Sequence, residues 1–411
     1  MVNVNKNRIQ LRLDALAKYG IDECGGWSRP SYTEEYRKAY DMVREWMEEV
    51  GMTVRSDSAG NLFGRLEGEA EGLPVVAAGS HIDTVKNGGK FDGNAGVVAA
   101  LEVMQIITEN HIQHKYPLEV IVFVEEEGSR FGTGLFGSRA MLGEISSEFL
   151  REKTDKGGIT IAQALTNWGL DPGRIDEAKV EKGYYKAYFE LHIEQGSVLD
   201  SLGIPIGIVE GIAAPVWLKV TLKGRADHAG ATPMNLRRDA FLVAAELALA
   251  GEGIANSIGR STVVTVGKIS VKPGGANIVP GEVELFFDVR NIEVKWRTEA
   301  IIKIMDVAKE ICTRRDVSYE FEEVMKVDPC ILPDSITSIV EEGAKETGAR
   351  YHRMVSGAGH DAQLMAKITD VGMIFTPSIN GLSHCPEEDT DIEDITICTQ
   401  ALLNSMLKVI S

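Results

Sequence analysis

The sequence predicts an α/β protein of two domains, in which a mixed, mostly parallel sheet is interrupted by an inserted ferredoxin-like α+β domain. Three observations carry this expectation. The chain has 411 residues, too many for one small core. Its first 210 residues alternate helix-like and strand-like stretches, the pattern of a largely parallel α/β layer. After "GIVEGIAAP" the order becomes β-α-β-β-α-β, that of the ferredoxin-like unit, before alternation returns. The expected boundaries are 1–212 and 329–411 for the two parts of the larger domain and 213–328 for the insertion.

The elements follow in order. "MVNVNKNRIQLRLDALAKYG" reads as an amphipathic helix over 5–18 ended by Gly20, and is too polar for a signal peptide. A second helix is expected over 32–50 and a third over 94–110. Between and after them, 74–80 ("PVVAAGS"), 118–124 ("LEVIVFV") and 187–193 ("AYFELHI") read as buried strands. In the insertion, 216–223 ("VWLKVTLK") alternates as a half-exposed strand does and 237–250 reads as a helix. Strands at 262–270 and 282–290 flank the turn-rich "KPGGANIVPG", followed by a helix at 295–313 and a strand near 317–322. A strand at 371–376 ("VGMIFT") and a helix at 392–408 complete the first sheet.

Composition narrows the partners. A net charge of −18 argues against nucleic acid and anionic membranes, both of which need a basic surface. An anionic small substrate would instead need a local Arg or Lys. No apolar stretch is expected to reach the ~20 residues of a bilayer span. The five cysteines (Cys24, Cys312, Cys330, Cys385, Cys398) show no CxxC and read as reduced thiols, so the expectation is a cytoplasmic protein.

The chemistry begins at "VEEEGSRFG", where a buried strand ends in Glu125, Glu126 and Glu127. Adjacent carboxylates repel, and burying an unpaired one is costly, so something positive belongs there. His81 lies in "GSHIDTV" just past a strand, with Asp83 placed for its carboxylate to hold the imidazole. Asp92 lies in the Gly-rich "GGKFDGNAG", His192 in "ELHIEQG" and His384 in "PSINGLSHCPEE". All follow the carboxyl ends of strands, where open α/β sheets build their sites. His, Asp and Glu without Cys suit Zn²⁺, Mn²⁺ or similar ions, and five ligands with one bridging carboxylate suit a two-metal site. Singly, each is bland: "EEE" is usually a solvated patch, and His111 and His114 in "NHIQH" read as loop residues. It is the joint pattern that points to metal. "GTGLFG" matches a dinucleotide fingerprint, but it follows no strand and three glutamates precede it. "DTDIED" lacks the Gly of a calcium loop.

Together "GSHIDTV", "FDGNAG", "EEEGSRF", "ELHIEQG", "HAGATPM", "GAGHDAQ" and "SINGLSH", in order from about Gly25 to the C-terminus, resemble the amidohydrolase branch of the dinuclear-zinc aminoacylase/carboxypeptidase superfamily. That branch holds N-carbamoyl-L-amino-acid hydrolases, allantoate amidohydrolases and β-ureidopropionases. The resemblance implies a catalytic domain interrupted by a lid that also dimerises, and two divalent ions per subunit (Zn, Mn, Co or Ni). It implies that His81 and His192 hold one ion and Glu127 and His384 the other, with Asp92 bridging and a cis peptide after Asp92. Glu126 would be the general base, taking a proton from a water and passing it to the leaving nitrogen. Glu125 gains no role and is expected to face away. His228 in "RADHAGATPM" would reach the partner subunit's site and stabilise the oxyanion, making a homodimer through the inserted domain. Asn277 and Arg290 would grip the substrate carboxylate, and Gln195, Gly359 and His360 would add contacts.

The implied activity is hydrolysis of the carbamoyl C–N bond of an N-carbamoyl-L-amino acid, a small anionic ureido substrate. "GIAAPVWLKV", "HAGATPMNLRRDA" and "GSRAMLG" favour it, whereas "GAGHDAQ" and "PSINGLSH" suit allantoate equally. His192 argues against a dipeptidase or aminoacylase, which often have a carboxylate there. A non-catalytic binding protein would lack Glu126 or a ligand, and none is missing.

Overall fold

The computed structural model describes residues 2–410. It divides into two compact units, one formed by residues up to Glu210 with Leu332–Met354 and His360 onward, the other by Gly211–Ile331 with Val355–Gly359. In chain order the strands begin with β1 (Thr53–Ser56), β2 (Leu62–Leu66), β3 (Val75–His81), β4 (Leu118–Phe123), β5 (Tyr185–Ile193) and β6 (Ile206–Ile212). The second unit holds β7 (Ala214–Lys223), β8 (Asp227–His228), β9 (Val263–Lys272), β10 (Ile278–Val279), β11 (Glu282–Asn291), β12 (Ser318–Lys326) and β13 (Cys330–Ile331). Then come β14 (Tyr351–Ser356) and β15 (Asp370–Thr376).

The larger unit carries the strand order β1-β2-β4-β3-β5-β15-β6, with β14 beside β6. Its centre, β4-β3-β5-β15, is parallel, and β1, β2 and β6 run antiparallel to their neighbours. Every residue of β3 and β4 is buried, as expected of strands covered on both faces. Helices Asn94–Glu109 and Ile392–Ile410 pack onto this sheet through one continuous apolar core. The register aligns the strand ends: His81 pairs with Phe123, and His192 with Phe375. One edge of the sheet therefore gathers the carboxyl ends of β3, β4, β5 and β15. The antiparallel β1, β2 and β6, and also β14, are absent from the sequence-based expectation. β1 is only four residues long, and its burial alternates.

The second unit orders its strands β12-β7-β11-β9, all antiparallel, which is the ferredoxin-like arrangement. Alternate residues of β7 and β11 point to one face, where Val220, Leu222, Leu285 and Phe287 meet helices Ala240–Ile258 and Val294–Arg315. Contrary to the expectation, Ala240–Ile258, at 19 residues, is long and apolar enough to cross a bilayer. The cause is its small apolar residues. Ala240, Val243, Ala244, Leu247, Gly251 and Ile254 recur at helical spacing and form its buried face. β8 and β10 form a separate two-stranded ribbon.

Candidate metal centre

His81 ends β3, and its ring is fixed by the loop after it: Nδ1 lies 3.0 Å from the Asp83 carbonyl oxygen. A carbonyl only accepts, so Nδ1 carries a proton, and in the neutral ring Nε2 presents its lone pair. The expected holder, the Asp83 carboxylate, is 3.7 Å away. Its two oxygens instead accept the backbone N–H groups of Glu126 (3.2 Å) and Glu127 (3.1 Å). Asp83 thus ties the end of β3 to the turn after β4. On β5, His192 Nδ1 is 2.9 Å from the Ile193 carbonyl, which leaves its Nε2 free in the same way.

These free nitrogens meet at Asp92. Asp92 Oδ1 lies 3.4 Å from His81 Nε2 and 3.2 Å from His192 Nε2. Its Oδ2 lies 3.3 Å from His384 Nε2, which is 3.6 Å from Glu127 Oε1. One carboxylate therefore faces two ligand pairs with different oxygens. His81, Asp92 and His192 form one group able to hold a metal ion, and Asp92, Glu127 and His384 form another. The fit is supported by orphaned atoms: His192 Nε2 and Glu127 Oε1 are buried with no hydrogen-bond partner. Nitrogen and carboxylate donors without thiolate suit a borderline or hard divalent cation. Glu126 stands beside both groups, with Oε2 3.8 Å from His81 Nε2.

Gly93 explains the turn after Asp92. Its φ is +65°, and a Cβ there would sit 2.5 Å from the His81 ring. The expected cis peptide after Asp92 is not formed. The one cis bond among the described residues is Lys272–Pro273, and the left-handed Gly93 makes the turn, with Asn94 N donating to the Asp92 carbonyl (2.6 Å).

Burial and mutual charge shift the carboxylates of this centre in opposite directions. Burial pushes Glu126 well above the carboxylate range, and Glu127 and Asp361 add to that against the pull of His81. Burial and then Asp92 push Glu127 up to about 8. Burial works the same way on Asp92, but His192, His384 and His81 overcome it and hold Asp92 well below its usual value.

Glu125 was expected to face away, but it is fully buried. Its backbone turns through a φ of +54°, which aims the side chain inward. There it accepts from Ser31 Oγ and from the backbone N–H groups of Arg130 (3.1 Å) and Phe131 (3.0 Å). Arg29 also escaped the sequence reading. Its buried guanidinium donates to the carbonyl of Ile82 (2.7 Å) and to Asn94 Oδ1 (2.7 Å), bracing the segments that follow His81 and Asp92. Nothing in "WSRPSY" distinguishes either Arg29 or Ser31 from a loop residue.

The expected substrate contacts fall into two sets. In the larger unit, Gln195 Nε2 donates to Asp92 Oδ2 (2.7 Å), and the buried His360 ring stands edge-on to His192 at 4.5 Å. In the second unit, His228 pairs with Ile278 on the β8–β10 ribbon, and Ala229 N donates to the Asn277 carbonyl (2.9 Å), so His228 and Asn277 share one support. His228 Nδ1 accepts the N–H groups of Gly230 and Ala231, each at 3.1 Å. A neutral His228 therefore carries its proton on Nε2. Arg290 is paired through Nε and Nη2 with the Asp288 carboxylate (2.8 Å each), and its Nη1 donates to the Gly357 carbonyl (2.6 Å). Gly359 is exposed in the turn after β14.

A model of the peptidase family M20/M25/M40 matches residues 77–408. The chain is 43% identical over 410 residues to an N-carbamoyl-L-amino-acid amidohydrolase of Pseudomonas sp. (strain NS671), covering 99% of each. It is 35% identical to an allantoate amidohydrolase of Bacillus subtilis (strain 168), covering 98% of each. A crystal structure of an amidase of the hydantoinase/carbamoylase family from Burkholderia multivorans superposes with a TM-score of 0.92 at 32% identity, covering 100% of this chain and 98% of that one.

Proposed function

The chain belongs to peptidase family M20/M25/M40, and we infer from its site that it is a metal-dependent amidohydrolase that cleaves the carbamoyl C–N bond of N-carbamoyl-L-amino acids, giving amino acid, CO₂ and ammonia. The observation that carries this is Asp92 facing two ligand pairs, with Glu126 beside them. His81 and His192 would hold one divalent ion, Glu127 and His384 a second, and Asp92 would bridge. Such ions supply Lewis acidity and lower the pKa of water towards neutrality.

The protein's own residues do the rest. Glu126 takes a proton from the water as its oxygen adds to the carbamoyl carbon, and returns it to the departing nitrogen. His228 offers Nε2–H to the developing oxyanion, the tautomer its turn supports. Arg290, braced by Asp288, and Asn277 bind the substrate carboxylate, which supplies cationic recognition on an acidic protein. Gln195, Gly359 and His360 add contacts. The inserted unit would act as lid and as the contact of a cytoplasmic homodimer, with His228 serving the partner's site. Its four-stranded sheet has two edge strands, β9 and β12, available for pairing.

The test is ammonia release from a panel of N-carbamoyl amino acids and allantoate, using chelated enzyme resupplied with Zn²⁺, Mn²⁺, Co²⁺ or Ni²⁺. Release from N-carbamoyl amino acids is expected. Release from allantoate alone would select the second reading, which the 35% identical relative supports. No release from any ureido compound would sink both.

A further inference from the structure

Asp92 and His384 reach the centre on loops far apart in the chain, and His384 is the less secure. Its side chain is 49% exposed, and its loop runs through three left-handed residues, Asn380 (φ 58°), Gly381 (φ 68°) and His384 (φ 57°). The base of the loop is closed by Ile379 N donating to the Asp389 carbonyl (2.9 Å) and Thr390 Oγ1 donating to the Pro377 carbonyl (2.6 Å). Its tip is linked to the Asp92 loop by Gln195, whose Nε2 lies 3.1 Å from His384 Nε2, and by one buried side chain that grips the backbone of Asp92. Glu388 is 3% exposed. Its Oε1 accepts the N–H groups of Phe91 (3.0 Å) and Asp92 (3.1 Å). Its Oε2 is 2.9 Å from Ser383 Oγ, which lies 3.2 Å from Asp92 Oδ2.

We propose that Glu388 is a positioning residue of the metal centre, which pins the Asp92 and His384 loops together at the spacing that binding of the ion between them requires. The inference rests on the metal-centre reading above. One carboxylate grips the backbone of Asp92 and the residue preceding His384, so neither ligand shifts without straining the other. Partners that orient a metal ligand in this way contribute roughly 10–100-fold in metal affinity.

The opposite wall offers an independent probe. A Cβ on Gly89 would lie 2.0 Å from Glu388 Cδ, and Gly89 does not have a positive φ, so the backbone accepts alanine. The same Cβ would lie 2.4 Å from Glu388 Cβ, so Gly89→Ala pushes the whole Glu388 side chain away from Asp92 without removing its carboxylate. Glu388→Gln keeps the geometry: its carbonyl accepts both amides, and its NH₂ donates to Ser383 Oγ, whose proton then goes to Asp92.

The experiment is competition for Zn²⁺ between a chromogenic chelator and the chelated wild type, Glu388→Ala, Glu388→Gln and Gly89→Ala, with circular dichroism and thermal unfolding of each metal-free protein. Glu388→Ala and Gly89→Ala should lose affinity at one of two sites by roughly 10–100-fold, while Glu388→Gln stays within about threefold of wild type. A folded Glu388→Ala that binds like wild type would overturn the inference, as would a Gln variant as weak as the Ala variant. If Glu388→Ala fails to fold, Gly89→Ala against Glu388→Gln decides by the same criterion. A wild type that binds no zinc would instead sink the metal-centre reading, and the inference with it.

Discussion

At Glu126 the carboxylate stands 3.8 Å from His81 Nε2, but the sequence neighbour Glu127 is the one grouped with His384 and Asp92. The division of labour between them is testable. Glu126→Gln keeps the size and loses the base, so kcat should fall by roughly 10²-fold or more while metal content stays near wild type. Near-normal turnover would remove Glu126 from the mechanism. Glu127→Gln should instead lower metal content.

The same residues set a pH dependence. Glu127 is raised to about 8, mainly by burial, and His384 to about 9, mainly by its hydrogen bond to Asp92. Both shifts are upward, so near neutral pH the metal-free protein keeps protons that entering cations must displace. Metal affinity should rise from about pH 6 to about pH 9, and binding near pH 7 should release protons, seen calorimetrically as a buffer-dependent heat. The linkage to stability has a definite sign. A raised folded-state value stabilises the metal-free protein below the unfolded value, and that contribution fades as pH climbs through about 8 and about 9. The gap in Tm between metal-loaded and metal-free protein should widen over this range. A pH-independent affinity would contradict these protonation states.

Among the elements, legibility followed burial in the four central strands but not in β6, which is almost wholly buried and went unread. The strands at 74–80, 118–124, 187–193 and 371–376 were readable because strands covered on both faces are apolar throughout, and each lies within two residues of its observed bounds. Their ends were readable because His and acidic residues there interrupt that apolar text. The edge strand β1 was not, since a short, half-exposed strand carries little signal, and neither was β2, only five residues long, between β1 and β4. The ribbon that carries His228, only two residues a side, was equally silent. Tertiary partners left no trace at all: Arg29 and the Ser31 contact of Glu125 act across segments far apart in the chain, which no local pattern encodes. The turn after β4 shows the cost of that silence. Glu125→Ala would remove three accepted hydrogen bonds at a buried site. Stability should fall by on the order of 3 kcal/mol, read from urea denaturation of the metal-free protein. A loss under about 1 kcal/mol would mean that the turn holds itself.

For the molecule as a whole, the proposed dimer makes a prediction that no single chain can satisfy. His228→Ala alone and Glu126→Ala alone should each be nearly inactive. Mixed and allowed to exchange subunits, they should regain activity approaching roughly a quarter of wild type, because a heterodimer has one site with both groups intact. Absence of recovery, with exchange verified independently by mass, would put His228 to work within its own chain or outside the reaction. The fold class and the two-unit architecture were visible in the order of elements. The extra short excursion of Val355–Gly359 into the second unit was not, because five residues carry no periodicity.

The place of β15 between β5 and β6 also sets a timetable. Translation finishes β5 at Ile193 but reaches the end of β15 only at Thr376, about 180 residues later. At 5–20 residues per second the nascent chain spends roughly 10–40 seconds with the open edge of a central strand exposed. His384 emerges later still, so a complete metal centre cannot exist before it has been made, and a chain stalled before that point would combine a sticky sheet edge with a site unable to hold its second ion.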